Sequence, residues 1–183
     1  MNLGDKLIQF ELEDEEEQSI APYRMFSTYD GILMIFYSSF CAYSQACFQR
    51  FQQIIDDYKP DSLGILFVNV LNGDQDESEE SELDLFEKAQ QHKAFIKLVK
   101  DEGQQLAGAM EVEVTPKAFL FDGNQKLVYK GPIDDSPESA EKVNAPYLRN
   151  ALDQALNGQD VTTPDVAPEG TPVTYSSDEA EAS

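Results

Sequence analysis

The sequence lacks long apolar runs and has few histidines and cysteines, and each of these features would point to a class of function. No stretch approaches the roughly 20 apolar residues of a membrane-spanning helix, and the acidic first twenty residues lack the apolar core of a signal peptide. The chain has one histidine, His92, and two cysteines, Cys41 and Cys47. This set does not make a zinc site and favours thiol chemistry in the cytoplasm over a disulfide scaffold. We therefore predict no membrane, no metal and no cofactor.

Basic residues are also scarce. Thirteen Lys and Arg stand against 35 Asp and Glu, which gives a formal net charge of −22. Such a surface disfavours nucleic acids and anionic membranes as partners. Only six of the acidic residues follow Gly158, so the acidity belongs to the main domain and not only to its tail. We interpret it as a solvated surface or an adaptation to high salt, with attraction of a basic partner as the alternative.

The most informative stretch is residues 31–58. Its apolar run, residues 32–37, predicts a strand that is buried on both faces. Cys41 stands at the turn after this strand, so its sulfur is expected over the first free N–H groups of a helix, where a thiolate is stabilised and the thiol pKa falls. Apolar residues then recur at the spacing of one helix face, at Cys47, Phe48, Phe51, Ile54, Ile55 and Tyr58.

The rest of the chain predicts further strands and helices. Residues 63–70 form a second buried run, and strand, helix and strand at this spacing predict a parallel pair with a right-handed crossover. We also predict an N-terminal β-hairpin with an acidic tip. The remaining predicted elements are a helical turn at 23–26, an exposed acidic helix at 74–87, strands at 95–99, 117–121 and 126–129, a short helix at 104–110 and a last helix from 147.

These elements predict one α/β domain with a central mixed sheet flanked by helices, residues 1–157, followed by an acidic tail, residues 158–183. Asn157-Gly158 is typical of the end of a helix. From residue 162 the chain is rich in proline, threonine, serine and acids and has few apolar residues. That composition predicts a disordered tail.

Two segments carry a family resemblance. Residues 36–44, Phe-Tyr-Ser-Ser-Phe-Cys-Ala-Tyr-Ser, resemble the thioredoxin active-site segment, with Ser44 in the place of the second cysteine. Residues 112–122 read Val-x-x-Thr-Pro-x-x-Phe-Leu-Phe-Asp and resemble the cis-proline loop of thioredoxin-fold proteins, which receives substrate backbone. Residues 126–135 and 147–153 are similar to segments of bacterial AhpC/TSA-type (redoxin) thioredoxin-family proteins. The resemblance spans roughly residues 1–161 and implies a thioredoxin-like fold.

The resemblance also implies a thiol–disulfide oxidoreductase or antioxidant activity. Cys41 would attack a disulfide or an oxidised sulfur of a thiol-containing or disulfide-containing protein, or of a small thiol. The helix N-terminus would stabilise its thiolate. The other implied site residues are Ser38 and Ser44 beside the nucleophile and, in the substrate groove, Tyr43, Thr115 and Pro116.

Three positions depart from the family pattern. Ser38 stands where relatives often have an extra cysteine, and Ile35 stands where thioredoxins carry a buried acid. Gly170-Thr171 stands where a C-terminal cysteine is typical. The usual two-cysteine cycle is therefore missing, and Cys41 would form a mixed disulfide or a sulfenic acid that waits for another thiol.

Cys47 is the internal candidate for a resolving thiol, since residues 41–47 resemble the Cys-x-x-Gln-Ala-Cys of some atypical peroxiredoxins with one residue more. Six residues turn an ideal helix by about 600°, so the two cysteines point apart and a bond needs the first turn to unwind. A peroxidase would use the Ser38 hydroxyl, but Met34 and Pro116 replace its proline and arginine. We rank thiol–disulfide exchange first, with Cys47 buried and structural. A redox-silent binding module and a peroxiredoxin-like peroxidase are the alternatives.

Overall fold

The computed structural model describes residues 1–13, 17–58, 62–70, 87, 91 and 96–175. Two short 3-10 turns, Glu102–Gln104 and Ala140–Lys142, join its regular elements. In chain order those elements are β1 (Leu12–Glu13), β2 (Ser19–Ile20), α1 (Pro22–Met25), β3 (Gly31–Tyr37), α2 (Ala42–Asp57), β4 (Leu63–Val70), β5 (Ile96–Asp101), α3 (Gln105–Ala109), β6 (Val114–Thr115), β7 (Lys117–Phe121), β8 (Leu127–Gly131), α4 (Tyr147–Leu156) and β9 (Thr171–Pro172).

A five-stranded mixed sheet forms the centre, in the order β5-β4-β3-β7-β8. β3, β4 and β5 run parallel to one another, while β7 runs antiparallel to both of its neighbours, β3 and β8. The predicted α/β fold with a central mixed sheet is therefore confirmed. The N-terminal hairpin is also confirmed; among the described residues it pairs Leu12 with Ile20 and Glu13 with Ser19, and the predicted strand residues 8–11 lie outside this pairing.

The core lies between this sheet and the helices on it. Every residue of β3 and β4 is buried, as expected for apolar strands at the middle of a sheet. α2 packs on them through aromatic contacts: the rings of Tyr37 and Phe48 meet edge to face with centroids 5.7 Å apart, and the tilted rings of Phe51 and Phe67 lie 5.5 Å apart. Burying one such side chain stabilises the fold by roughly 1.5–3 kcal/mol, so α2 is held firmly in position.

Strand direction determines which loops meet at one edge of the sheet. The register pairs Phe36 with Lys117 across the antiparallel strands β3 and β7. Because the two strands run in opposite directions, the residues that follow β3 and those that precede β7 reach the same edge. The turn that holds Cys41 and the loop that holds Pro116 therefore come together there.

The C-terminal segment differs from the predicted disordered tail as far as Tyr175. The Lys130 N–H donates to the Pro164 carbonyl (2.9 Å), and the Val166 N–H donates to the Lys130 carbonyl (3.1 Å). Further along, β9 pairs antiparallel with β6. Composition gave no indication of this, because backbone hydrogen bonds and a few partly buried valines, Val161, Val166 and Val173, attach the segment. Residues 176–183 lie outside the described residues.

Some predictions fall on parts of the chain for which no structure is described. The predicted acidic helix, apart from residue 87, and the predicted exposed position of His92 lie outside the described residues. None of the helices in the described part of the chain has the length and apolar content to span a bilayer.

Candidate active site

Cys41 occupies the N-cap of α2, as the sequence predicts. Its extended backbone (φ −87°, ψ 115°) lets the side chain fold over the first turn, where Sγ accepts the Ser44 N–H at 3.3 Å. Its own N–H donates to the Ser38 carbonyl at 3.0 Å. Free N–H groups at a helix N-terminus favour negative charge, so this position stabilises a thiolate.

The turn between β3 and α2 is fixed by side chains from the neighbouring strand and helix. Asn69, at the end of β4, donates from Nδ2 to the Ser39 Oγ at 2.8 Å. Gln45 donates from Nε2 to the Ser39 carbonyl at 2.8 Å. These bonds hold Cys41 at the edge of the sheet through its backbone. The sequence analysis missed Asn69, which appeared only as one residue of a buried strand.

Ser38 and Ser44 are both buried beside Cys41, but they act differently. The Ser44 Oγ accepts the Ser38 N–H at 3.2 Å, which ties the turn to the first turn of α2. The Ser44 hydroxyl also forms a hydrogen bond with the Cys41 sulfur. Ser38 reaches Cys41 through its backbone carbonyl. The structure thus brings both predicted serines to Cys41, with Ser44 in direct contact with the sulfur.

The loop before β7 lies against the sulfur. The Thr115-Pro116 peptide bond is cis, and both residues are buried. The Cys41 thiol donates to the Thr115 carbonyl at 3.2 Å. Tyr43, which was predicted in the same groove, is the second residue of α2 and is half-buried.

Thr171 completes the site, although sequence reasoning assigned it no role. Its Oγ1 lies 3.1 Å from the Cys41 Sγ, and β9 carries it there across 130 residues of sequence. A thiol has one proton, so when that proton goes to Thr115 the rotatable Thr171 hydroxyl can donate to the sulfur. The only trace of this contact in the sequence is that Gly170-Thr171 stands where relatives typically have a cysteine.

Burial and hydrogen bonding oppose each other at the Cys41 sulfur. Only 2% of the residue is exposed, and this burial raises the pKa of the Cys41 thiol. Hydrogen bonds from Ser44 and Thr171 outweigh the burial, so that the pKa lies below the usual thiol value. Hydrogen bonds that favour the charged form are the physical cause. The site therefore favours the thiolate form more than an ordinary thiol environment does, and it shields the sulfur from solvent.

Cys47 lies in the opposite environment. It is 1% exposed within the apolar core, and its Sγ is 3.7 Å from the Pro137 carbonyl. Burial raises the pKa of its thiol to about 12, so it stays protonated at neutral pH. Both cysteines are free thiols. This environment favours the structural role over the resolving role, and the latter requires rearrangement of the helix.

Below Cys47, a buried ion pair ties α2 to the segment after β8. The Arg50 Nη1 lies 2.6 Å from Asp134 Oδ2 and 2.8 Å from Oδ1, with both side chains less than 10% exposed. Arg50 also donates to the carbonyls of Ser136 and Pro137. Within the described ranges there is no cluster of three His, Cys, Asp or Glu side chains that could hold a metal ion.

A family model described as the AhpC/TSA family matches residues 3–130. The chain belongs to the AhpC/TSA family. No curated protein matches the sequence at a significant level. The match covers the Cys41 turn, the Thr115-Pro116 loop and most of the sheet, and it stops before the segment that carries Thr171.

Solved structures show which fold the chain shares. A hypothetical protein from Sinorhizobium meliloti 1021 superposes with a TM-score of 0.80 at 25% identity, covering 97% of this chain and 96% of that one. An uncharacterized conserved protein from Geobacillus kaustophilus gives 0.79 at 22%, covering 96% and 93%. The thioredoxin domain of a thiol-disulfide oxidoreductase from Bacteroides vulgatus gives 0.52 at 16%, covering 71% and 88%. The fold is thus thioredoxin-like, and the family is AhpC/TSA.

Proposed function

We propose that this protein is a thiol–disulfide oxidoreductase that works through one nucleophile, the Cys41 thiolate. The observation that carries the proposal is the set of groups around its sulfur: the Ser44 N–H at 3.3 Å, the Ser44 hydroxyl and the Thr171 hydroxyl at 3.1 Å. Together they lower the pKa of the thiol despite its burial. A cysteine that served only packing would have no need of such donors, as Cys47 illustrates.

The reaction consists of two exchange steps. The Cys41 thiolate attacks one sulfur of a substrate disulfide, so that a new S–S bond forms, the substrate S–S bond breaks and the second substrate sulfur leaves as a thiolate. A thiolate from another molecule then attacks the mixed disulfide and Cys41 leaves. The same donors that stabilise the attacking thiolate stabilise the leaving one, so both steps benefit from the N-cap.

The partner in this proposal is a thiol-containing or disulfide-containing protein, or a small thiol that supplies the second thiolate. The net charge of −22 disfavours nucleic acid and anionic membrane as partners. We expect the reaction to occur in the cytoplasm, since two cysteines in a chain of 183 residues do not suggest a secreted disulfide scaffold.

The pH dependence of Cys41 alkylation tests the proposal, with the two cysteines separated by peptide mass. We expect an apparent pKa clearly below the ordinary thiol value of about 8.5, because hydrogen bonds favour the thiolate. A small-molecule disulfide should form an adduct at Cys41 and none at Cys47. The variant Cys47→Ala is the control and should give the same profile.

An apparent pKa at or above that ordinary value, with slow reaction at every pH, would overturn the enzymatic proposal. The chain would then be a redox-silent thioredoxin-fold binding module. A disulfide between Cys41 and Cys47 after exposure to peroxide would instead favour the peroxiredoxin-like alternative.

A further inference from the structure

The edge strand beside the nucleophile is already paired, and the chain itself supplies the partner. β6 pairs antiparallel with β9, with Thr115 opposite Thr171 and Val114 opposite Pro172. The Val173 N–H extends the pairing with a bond to the Glu113 carbonyl at 2.9 Å. An exposed edge strand next to a reactive group is a place where an extended polypeptide can add as a further strand. Here the C-terminal segment takes that place.

Thr171 stands where a reacting sulfur would have to lie. Its Oγ1 is 3.1 Å from the Cys41 Sγ, and groups about to react lie about 3–3.5 Å apart. A threonine hydroxyl cannot exchange with a thiolate, because its oxygen is not bonded to a leaving sulfur. The distance between the two atoms is therefore that of a nucleophilic attack, but no exchange reaction can follow.

We propose that residues 170–172 act as a built-in substrate mimic: they occupy the loop that, by the family resemblance, receives substrate backbone, and an extended substrate segment must displace β9 from β6 to reach Cys41. This rests on the proposed function of Cys41. The substrate segment would pair antiparallel with Val114 and Thr115 and present one sulfur of its disulfide at the position of the Thr171 Oγ1. The Cys41 thiolate attacks that sulfur, and the other sulfur of the disulfide leaves as a thiolate.

The segment passes so close to β6 that only glycine fits at position 170. A Cβ at this position would lie 2.3 Å from the Thr115 carbonyl oxygen, closer than any real contact, so the strand passes β6 only with glycine there. A substrate segment in the same register therefore needs glycine immediately before its cysteine.

The pairing is also weak enough to be replaced. It has only two residue pairs, and Pro172 has no N–H to donate. Outside the pairing, the segment is attached by the Tyr175 hydroxyl on the Val112 carbonyl (2.5 Å), by the Gln104 Nε2 on the Thr174 carbonyl (3.0 Å) and by the partly buried Val173 side chain, which packs at the margin of the core. Opening of β9 thus leaves the domain core intact.

The variant Gly170→Ala tests the proposal, with Glu169→Ala, a change at the exposed neighbouring residue, as its control. The probe is a peptide of residues 168–175 with cysteine in the place of Thr171, joined to thionitrobenzoate as a mixed disulfide. Gly170→Ala should exchange with it about tenfold faster than the unmodified chain, which corresponds to about 1.4 kcal/mol, the net contribution of one or two backbone hydrogen bonds. Glu169→Ala should match the unmodified chain.

Two further reagents distinguish pairing of the peptide with β6 from a general increase in the exposure of the Cys41 thiol. Bis(2-hydroxyethyl) disulfide cannot pair with β6, so its rate should rise less than that of the peptide. A second peptide with alanine before its cysteine should lose the extra gain. Equal acceleration of all three reagents in Gly170→Ala would overturn the substrate mimic, as would no acceleration.

A second variant keeps the proposal testable if Gly170→Ala does not fold. In Thr171→Cys, bis(2-hydroxyethyl) disulfide first forms an adduct at Cys41, and the introduced thiolate then attacks it and releases mercaptoethanol. We expect an internal disulfide with no retained adduct, whereas Glu169→Cys should retain the adduct. A retained adduct in Thr171→Cys would contradict the position assigned to Thr171. If Cys41 reacts in no variant, the proposed function fails and this inference fails with it; if Cys41 reacts but β9 has no influence, the inference fails alone.

Discussion

At the scale of single residues, Cys41 and Cys47 show how position changes the chemistry of one side chain. Six residues apart, they have pKa values shifted in opposite directions. Cys41 caps the helix and receives hydrogen bonds, whereas Cys47 lies one and a half turns further along on the apolar face. Burial is common to both, so the hydrogen-bond donors account for the difference.

Ser44→Ala should make Cys41 a weaker nucleophile at neutral pH. Removing the hydroxyl removes a hydrogen bond to the thiolate, and such bonds contribute about 1.5 kcal/mol or more, so the thiolate fraction at pH 7 should fall about tenfold. The rate of Cys41 alkylation as a function of pH measures this, and the profile should move to higher pH. Ser44→Thr, which keeps a hydroxyl, should restore much of the rate. A profile unchanged in Ser44→Ala would show that the backbone donors suffice.

Cys47 should make the fold less stable in alkali. Its pKa is about 12 in the folded chain and near the ordinary thiol value when unfolded, so between these values the unfolded state binds fewer protons. Its contribution to stability is therefore fully present below the ordinary thiol pKa and declines as pH rises towards 12, by at most about 1.4 kcal/mol per pH unit. Urea unfolding of Cys47→Ala and of the unmodified chain from pH 8 to 10.5 measures the difference. A constant difference across that range would refute the assignment.

At the scale of elements, α2 has Cys41 as its N-cap and is fixed at its middle by the buried pair Arg50–Asp134. Asp134→Ala should lower the free energy of unfolding by about 3 kcal/mol or more, because it leaves a buried guanidinium without its carboxylate. Asp57→Ala breaks the exposed pair with Arg149 (2.7 Å) and should cost about 1 kcal/mol or less. Chemical denaturation of both variants makes the comparison. Similar losses of unfolding free energy in the two variants would mean that the hydrogen bonds from Arg50 to the Ser136 and Pro137 carbonyls hold α2 without Asp134.

At the scale of the whole molecule, the sequence predicted those features that local patterns encode. The buried runs of β3 and β4, the helix that starts at Cys41 and the Thr115-Pro116 loop each have a short sequence pattern, and their meeting follows from strand direction. β9 has no such pattern. It is only two residues long and has no alternation of apolar residues, and its partner strand lies more than fifty residues earlier, so only the assembled fold brings Thr171 to Cys41.

The long separation of Thr171 from Cys41 has a consequence for the newly made chain. A ribosome adds about 5–20 residues per second, so 130 residues require roughly 6 to 26 seconds. During that interval β3 and α2 have been synthesised while the strand that covers the thiol has not. Translation thus leaves Cys41 uncovered at first, and the thiol is shielded only after the segment that carries Thr171 has been made.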